Sequence, residues 1–289
     1  MDIYDIFHDE CKENGYWHVF LFIPRSKQKQ IFQLLEQTRK NLDYFYPIHF
    51  VKIHKKIKTS STKVQIVKSW ISVLMYAIQQ QKIKADIYLG CKYEMKYDKI
   101  GMCFAALHLP QNHEDMYGGM SSTKKIETTF RMGLKGGAHF FFRRNITIGN
   151  IYIDYNKDVL IKKFNSENML ERFKNESNEN IFFTKDSQII PFSKNDYKQN
   201  CMISDFMQLA DITVGGIRTT KMQLINFPAR IYACKPLQNL LEKEFIYKRM
   251  KNSRYFNAFT LSDAWIEKEE WKFDDMKLIK DSKKQEQLI

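Results

Sequence analysis

Four carboxylates in this chain are placed where they could hold a metal ion. One lies in Asp205-Phe206-Met207-Gln208-Leu209-Ala210-Asp211-Ile212-Thr213-Val214-Gly215-Gly216-Ile217, which reads as a helix that is apolar almost everywhere. Gln208 and Asp211 are three residues apart there and so share one face. A carboxylate in such surroundings is costly unless something pairs with it. The others end strand-like runs: Asp9 and Glu10 follow Ile3-Tyr4-Asp5-Ile6-Phe7, and Asp154 follows Ile151-Tyr152-Ile153. Carboxylates at two strand ends and on one helix supply the hard oxygen ligands that Mg²⁺ or Mn²⁺ takes. Glu10 points to the opposite strand face from Asp9 and is a supporting ligand.

Each of these residues also has a plainer role open to it. Asp154-Tyr155-Asn156-Lys157-Asp158 is a good turn sequence, and Asp9 could belong to a hairpin turn. Asp211 could pair with a Lys or Arg. Asp205 lies beside Ser204, the expected N-cap, where capping and dipole compensation are its default. Gln208 either orients Asp211, touches substrate or satisfies a backbone group. Lys52 and His54, two apart, share a strand face and could approach a scissile phosphate, or could simply form an ordinary exposed edge. His49 lies in the same segment. His139 precedes Phe140-Phe141-Phe142 and reads as half-buried beside a core strand.

The composition narrows the class. With 289 residues, 44% of them hydrophobic, the chain can bury a large core, more naturally in one domain than two. A net charge of +13 favours polyanionic partners, nucleic acid before an anionic membrane surface, although AT-biased codon usage would also inflate lysine. Basic stretches at Lys52–Lys58, Lys92–Lys99, Lys124-Lys125, Arg143-Arg144 and Lys243–Lys251, with interleaved Tyr and Phe, could track phosphates and stack on bases, or could be solvated helix faces. Five cysteines with no C-x-x-C pair argue against a zinc knuckle or a disulfide framework. Cys11 is adjacent to the acidic pair. The absence of a signal-like segment or long apolar run predicts a reduced, cytoplasmic protein that does not enter membranes.

The elements that must position these groups follow from periodicity. Strands are predicted at Met1–Asp9 and Tyr16–Ile23 as a hairpin through Gly15, then a helix at Ser26–Asn41, a strand at Tyr46–Ile53, a helix at Ser60–Gln81 and a strand at Ala85–Gly90. The order is β-β-α-β-α-β. A strand at Ile100–Leu109, a loop, a helix at Ser122–Leu134 ending at Gly136-Gly137, and a strand at Thr147–Asp154 come next. A helix at Ser166–Asn175 capped by Ser166 and short strands at Ile181–Thr184 and Ile189–Phe192 precede the Asp211 helix. Helices are predicted at Pro236–Lys251 and Leu261–Trp271. The domain reading is a core over 1–220, a helical extension over 221–275 packed on it, and a basic tail over 276–289.

Three ordered features together resemble the domain-of-unknown-function family number 3800, a branch of the RNase H-like nuclease fold. They are the acidic pair in His8-Asp9-Glu10-Cys11, the strand Ile151-Tyr152-Ile153-Asp154, and Gln208-Leu209-Ala210-Asp211 followed by Gly215-Gly216. The resemblance covers about Met1 to Arg218. It implies an α/β fold, an RNase H-like mixed sheet flanked by helices, with a metal-dependent phosphodiesterase site in which two ions about 3.5–4 Å apart would be held by Asp9 and Asp154 as the core pair of ligands, with Asp211 facing them from the helix. Two departures stand out. Cys11 and Lys12 replace the Ser-Gly that usually follows the acidic pair. The RNase H pattern also has a further Glu between the first and central acids, whereas Tyr46–Lys58 offers His49, Lys52, His54 and Lys55 and no carboxylate. Either Glu10 or Asp205 supplies that charge, or the site binds metal weakly. The reading is therefore a Mg²⁺ or Mn²⁺-dependent nuclease acting on DNA or RNA. A part in defence against foreign nucleic acid follows only by analogy of fold. The alternative is an inactive module of the same fold that binds nucleic acid or protein.

Overall fold

A computed structural model describes residues 2–13, 15–79, 102–109, 122–141, 146–154, 165–177, 181–195, 200–247, 259–267 and 270–275. The expected strand at Ala85–Gly90, the basic stretches at Lys92–Lys99 and Arg143-Arg144, and the tail lie outside them.

The described residues build one mixed sheet of eight strands with helices on both faces. Strand β1 (Ile3–Cys11) runs at its centre. It pairs antiparallel with β2 (Tyr16–Pro24), and β2 pairs antiparallel with β3 (Cys103–Leu109). On its other side β1 pairs parallel with β4 (Ile146–Asp154). Strand β4 in turn carries β5 (Ile181–Phe183) and β6 (Ile189–Phe192), both parallel to it. Because β1 and β2 are covered on both faces, β2 is a continuous apolar run instead of an alternating one.

Alternation survives in which core each residue joins. Phe7 of β1 enters a large core with α1 (Arg25–Asn41), α2 (Thr62–Gln79), α5 (Cys201–Lys221) and α6 (Pro228–Tyr247). Its neighbour Ile6 enters a second core under α3 (Ser122–Phe141) and α4 (Ser166–Glu176). Asp9, two residues beyond Phe7, therefore faces the α5 side. No described helix is long and apolar enough to cross a membrane.

Four expectations are corrected. The Tyr46–Ile53 segment is no strand. It lies over α5 with a single 3₁₀ turn at Phe50–Lys52, its amides satisfied by α5 side chains instead of a neighbouring strand. Helix α3 does not stop at Gly136-Gly137. A Cβ at Gly137 would come within 2.6 Å of the Ala105 Cβ, so that glycine lets the helix settle onto the sheet. Ser166 and Ser204 are not caps: Asn165 and Asn200 accept from Asn168 N and Ile203 N, and Ser204 lies buried inside α5. Finally, Leu261–Trp271 is not a helix. Strands β7 (Phe259–Glu267) and β8 (Glu270–Asp275) form an antiparallel pair, and β7 extends the sheet parallel to β3. Among the described residues, the 221–275 segment thus contributes a helix and two strands, and β7 covers what would be an open edge of β3.

Candidate metal centre

The three principal acids converge, around a residue that sequence reasoning missed. Asp9 sits near the end of β1 opposite Val19 of β2. The parallel register sets His8 beside Ile153, which brings Asp154, the last residue of β4, next to Asp9. Asp211 comes from α5, packed on that face of β1. At their centre is the ammonium of Lys194, with Nζ 3.1 Å from Asp9 Oδ2, 3.1 Å from Asp154 Oδ2 and 3.7 Å from Asp211 Oδ1. Lys194 gets there because β6 follows β4: Asp154 pairs with Phe192, and Lys194 lies two residues further along. Asp9 lies within β1 and not in a turn, while Asp211 does pair with a lysine, as its plainer role has it, and shares that lysine with Asp9 and Asp154.

The helix also fixes the backbone around the acids. Asp211 Oδ2 accepts from Phe50 N at 3.0 Å. Gln208 Oε1 accepts from Ile48 N at 2.7 Å. Its amide nitrogen donates to the Lys194 carbonyl, as does the Ser204 hydroxyl. Gln208 is fully buried, so it positions Lys194 and the 46–53 segment and has no access to substrate. This corrects its assignment as a substrate contact. Lys52 and His54 are exposed and stand outside the pocket, so they do not line the site either. His49 is closer: its Nε2 lies 2.8 Å from Asn195 Oδ1, beside Lys194, and the Asp211 charge reaches it.

Glu10 points to the other sheet face, as its strand parity requires. It accepts from the Tyr16 hydroxyl and faces Lys12 at 3.7 Å. It still reaches the pocket rim, and the Asp154 charge adds to the effect of burial in raising its pKa. Asp205 does not supply a further charge. It is fully buried against Arg39, with Oδ1 2.7 Å from Nη2, on the far side of Gln208. Burial pushes its carboxyl up to about 6 against the pull of that guanidinium.

The electrostatics of the quartet are lopsided. Burial raises the Asp9 carboxyl well above its usual range; Lys194 opposes this, while Asp211 and Asp154 add to it. Burial works against the Lys194 charge, but Asp9, Asp211 and Asp154 outweigh it and hold the ammonium protonated. Three carboxylates share one cation.

These acids line a pocket of about 320 Å³ whose opposite end is basic, formed by Arg218 and Arg230. The donor set suits a divalent cation: hard oxygens from three elements already converge on a positive centre. Their spacing is set by the ammonium, and among the described residues no three acids stand ready-made as a metal cage. A metal ion held by Asp9, Asp154 and Asp211 would take the place of Lys194 Nζ.

No protein-family model matches this sequence, and neither does any curated protein.

Proposed function

We propose that this chain is a Mg²⁺ or Mn²⁺-dependent nuclease of the RNase H-like kind, related to the family its motifs resemble. The observation that carries this reading is the convergence of Asp9, Asp154 and Asp211 from β1, β4 and α5 on one cation within 3.7 Å. The mixed sheet flanked by helices is the architecture that the resemblance implies. The net charge of +13 suits a polyanionic substrate. Bound divalent metal would supply charge neutralisation at a phosphate and activate the attacking water. The three acids would hold it. Asp9, raised by burial, would hold the ion in its charged form. Lys194, tethered through its carbonyl to Gln208 and Ser204, would keep a positive charge beside the phosphate.

A specific observation also favours the rival reading. Lys194 already fills the cation's place, and no fourth acid joins the quartet among the described residues. A module of this fold that binds nucleic acid without cutting it would look the same.

Labelled single- and double-stranded DNA and RNA, incubated with Mn²⁺ or EDTA, separate the two. Metal-dependent cleavage by the wild type that is lost in Asp154→Asn is the expected result. Absence of cleavage, with salt-sensitive binding equal in both proteins, would establish the binding module instead.

A further inference from the structure

The basic end of the same pocket has a charge imbalance of opposite sign. Arg218 is seven residues beyond Asp211 on α5, hence on the same face and roughly 10 Å along the helix. Gly215 lies between them and adds no side chain to the pocket wall. Arg218 is 3% exposed, as is Arg230 of α6. Arg230 donates to the carbonyls of Ile53 at 2.7 Å and Val51 at 3.0 Å, which are neutral partners. Arg218 donates through Nη1 to Glu13 and contacts the Cys11 sulfur at 3.5 Å. Its Nε is buried and has no partner among the described residues. Among the described residues, Glu13 is thus the carboxylate that answers these two buried guanidinium groups, bonded to Arg218 and acting on Arg230 through its charge, and its side chain is 52% exposed on the β1–β2 turn. Burial lowers the Arg230 pKa, and the Arg218 charge lowers it further.

A buried excess of positive charge calls for an anion. The acidic end of the pocket lacks positive charge and the basic end lacks negative charge. The ligand that complements both is a metal-bound phosphate with a second phosphate beside it.

We infer that Arg218 and Arg230 form a phosphate subsite of this pocket, occupied by a substrate phosphate next to the one held at the acids, with Glu13 as the exposed carboxylate it displaces. The inference rests on the nuclease reading for the identity of the substrate. Arginine suits the role because its planar fork bonds phosphate oxygens in pairs. The resident Glu13 carboxylate, half in water, is a weak competitor.

Inorganic phosphate in EDTA tests the subsite without any turnover. Binding is read by calorimetry and by the rise in melting temperature. The expected result is saturable binding in the wild type, at least tenfold weaker in Arg218→Gln, and severalfold tighter in Glu13→Gln. Because Arg218→Gln could disturb the β1–β2 turn, Glu13→Gln is the second arm: it removes the same ion pair yet must move affinity the other way. Weaker phosphate binding in Glu13→Gln, or unchanged binding in folded Arg218→Gln, overturns the subsite. Oligonucleotides with 5′-phosphate, 3′-phosphate or no terminal phosphate then identify its source. Arg218-dependent preference for a phosphorylated end marks a terminal phosphate, and Arg218-dependent binding without that preference marks an internal one. Cleavage without Arg218-dependent phosphate binding sinks the subsite alone. Phosphate binding without cleavage leaves the subsite standing and sinks the nuclease reading.

Discussion

Helix α5 carries two buried charge clusters that differ in one respect. Around Asp205 every charge is answered. Arg39 reaches both Asp205 oxygens, Gln208 Oε1 and the carbonyls of Tyr44 and Tyr46, and its guanidinium lies 4.7 Å from the Trp70 ring. Both partners are completely out of water. Six residues on, Asp211 joins two other carboxylates around one lysine, beside a pocket. The first cluster ties α1, α5 and the 44–48 segment together, and it is neutral and complete. The second is short of positive charge where solvent can reach it. A buried ion pair is weak evidence for stability, whereas an unbalanced cluster on a cavity wall is a candidate ligand site. Gln208 belongs to both clusters, which is how the Arg39 network fixes the lysine of the proposed metal centre.

If this contrast is right, the balanced cluster should be the more fragile one. Arg39→Ala leaves the Asp205 carboxylate buried and unpaired, with an expected loss of about 3–5 kcal/mol in urea unfolding. A loss below about 1 kcal/mol would mean the pair contributes little to the fold. The unbalanced cluster should respond to metal instead. At a Mn²⁺ concentration near a hundred times the dissociation constant, mass action contributes about 2.7 kcal/mol, or roughly 4–5 °C in melting temperature for a chain of 289 residues. Asp154→Asn should abolish most of that rise, and Asp205→Asn should keep it. Equal responses in the two variants would erase the distinction.

Lys194 offers the sharpest test of whether the ammonium stands in for a cation. Lys194→Met leaves three acids facing one another. In EDTA it should cost about 1–2 kcal/mol, less than the Arg39 loss because the site borders solvent and Asp9 can take up a proton. The same variant should gain more stability from Mn²⁺ than the wild type does, since the lysine no longer competes. A smaller gain would mean that Lys194 helps to hold the metal or that no metal binds there.

The acids were legible because their signal is local: Asp211 is a charge in an apolar helix, and Asp154 and Asp9 close apolar strands. Lys194 was not, because nothing in Ser193-Lys194-Asn195 distinguishes it from any exposed turn. Its place depends on β6 lying parallel to β4, a long-range fact. Likewise Tyr46–Ile53 has the alternation of a strand, but the amides of Ile48 and Phe50 bond to Gln208 and Asp211, and no pattern in the segment encodes that. The same holds for Leu261–Trp271, whose spacing suits a helix until β3 offers an edge. Arg218 could have been found seven residues beyond Asp211 on the same helical face, by following that face past the glycines.

The smallest expected effect concerns pH. Asp9 has its carboxyl pKa raised in the fold by burial and by Asp211 and Asp154, so folding favours its protonated form. Its contribution to stability is therefore present below the unfolded carboxyl value near 4 and is lost as pH rises through the folded value. Other acids of the protein have their own pH dependence, so the useful quantity is the difference between wild type and Asp9→Asn. In EDTA that difference should shift against the wild type as pH rises from about 4 toward neutral. With saturating Mn²⁺ the slope should reverse, because metal binding requires the charged carboxylate and protons compete with the ion for it. A slope of the same sign in both conditions would show that the carboxylate does not exchange a proton for a metal ion, and Asp9 would then belong with Asp205 as a structural acid.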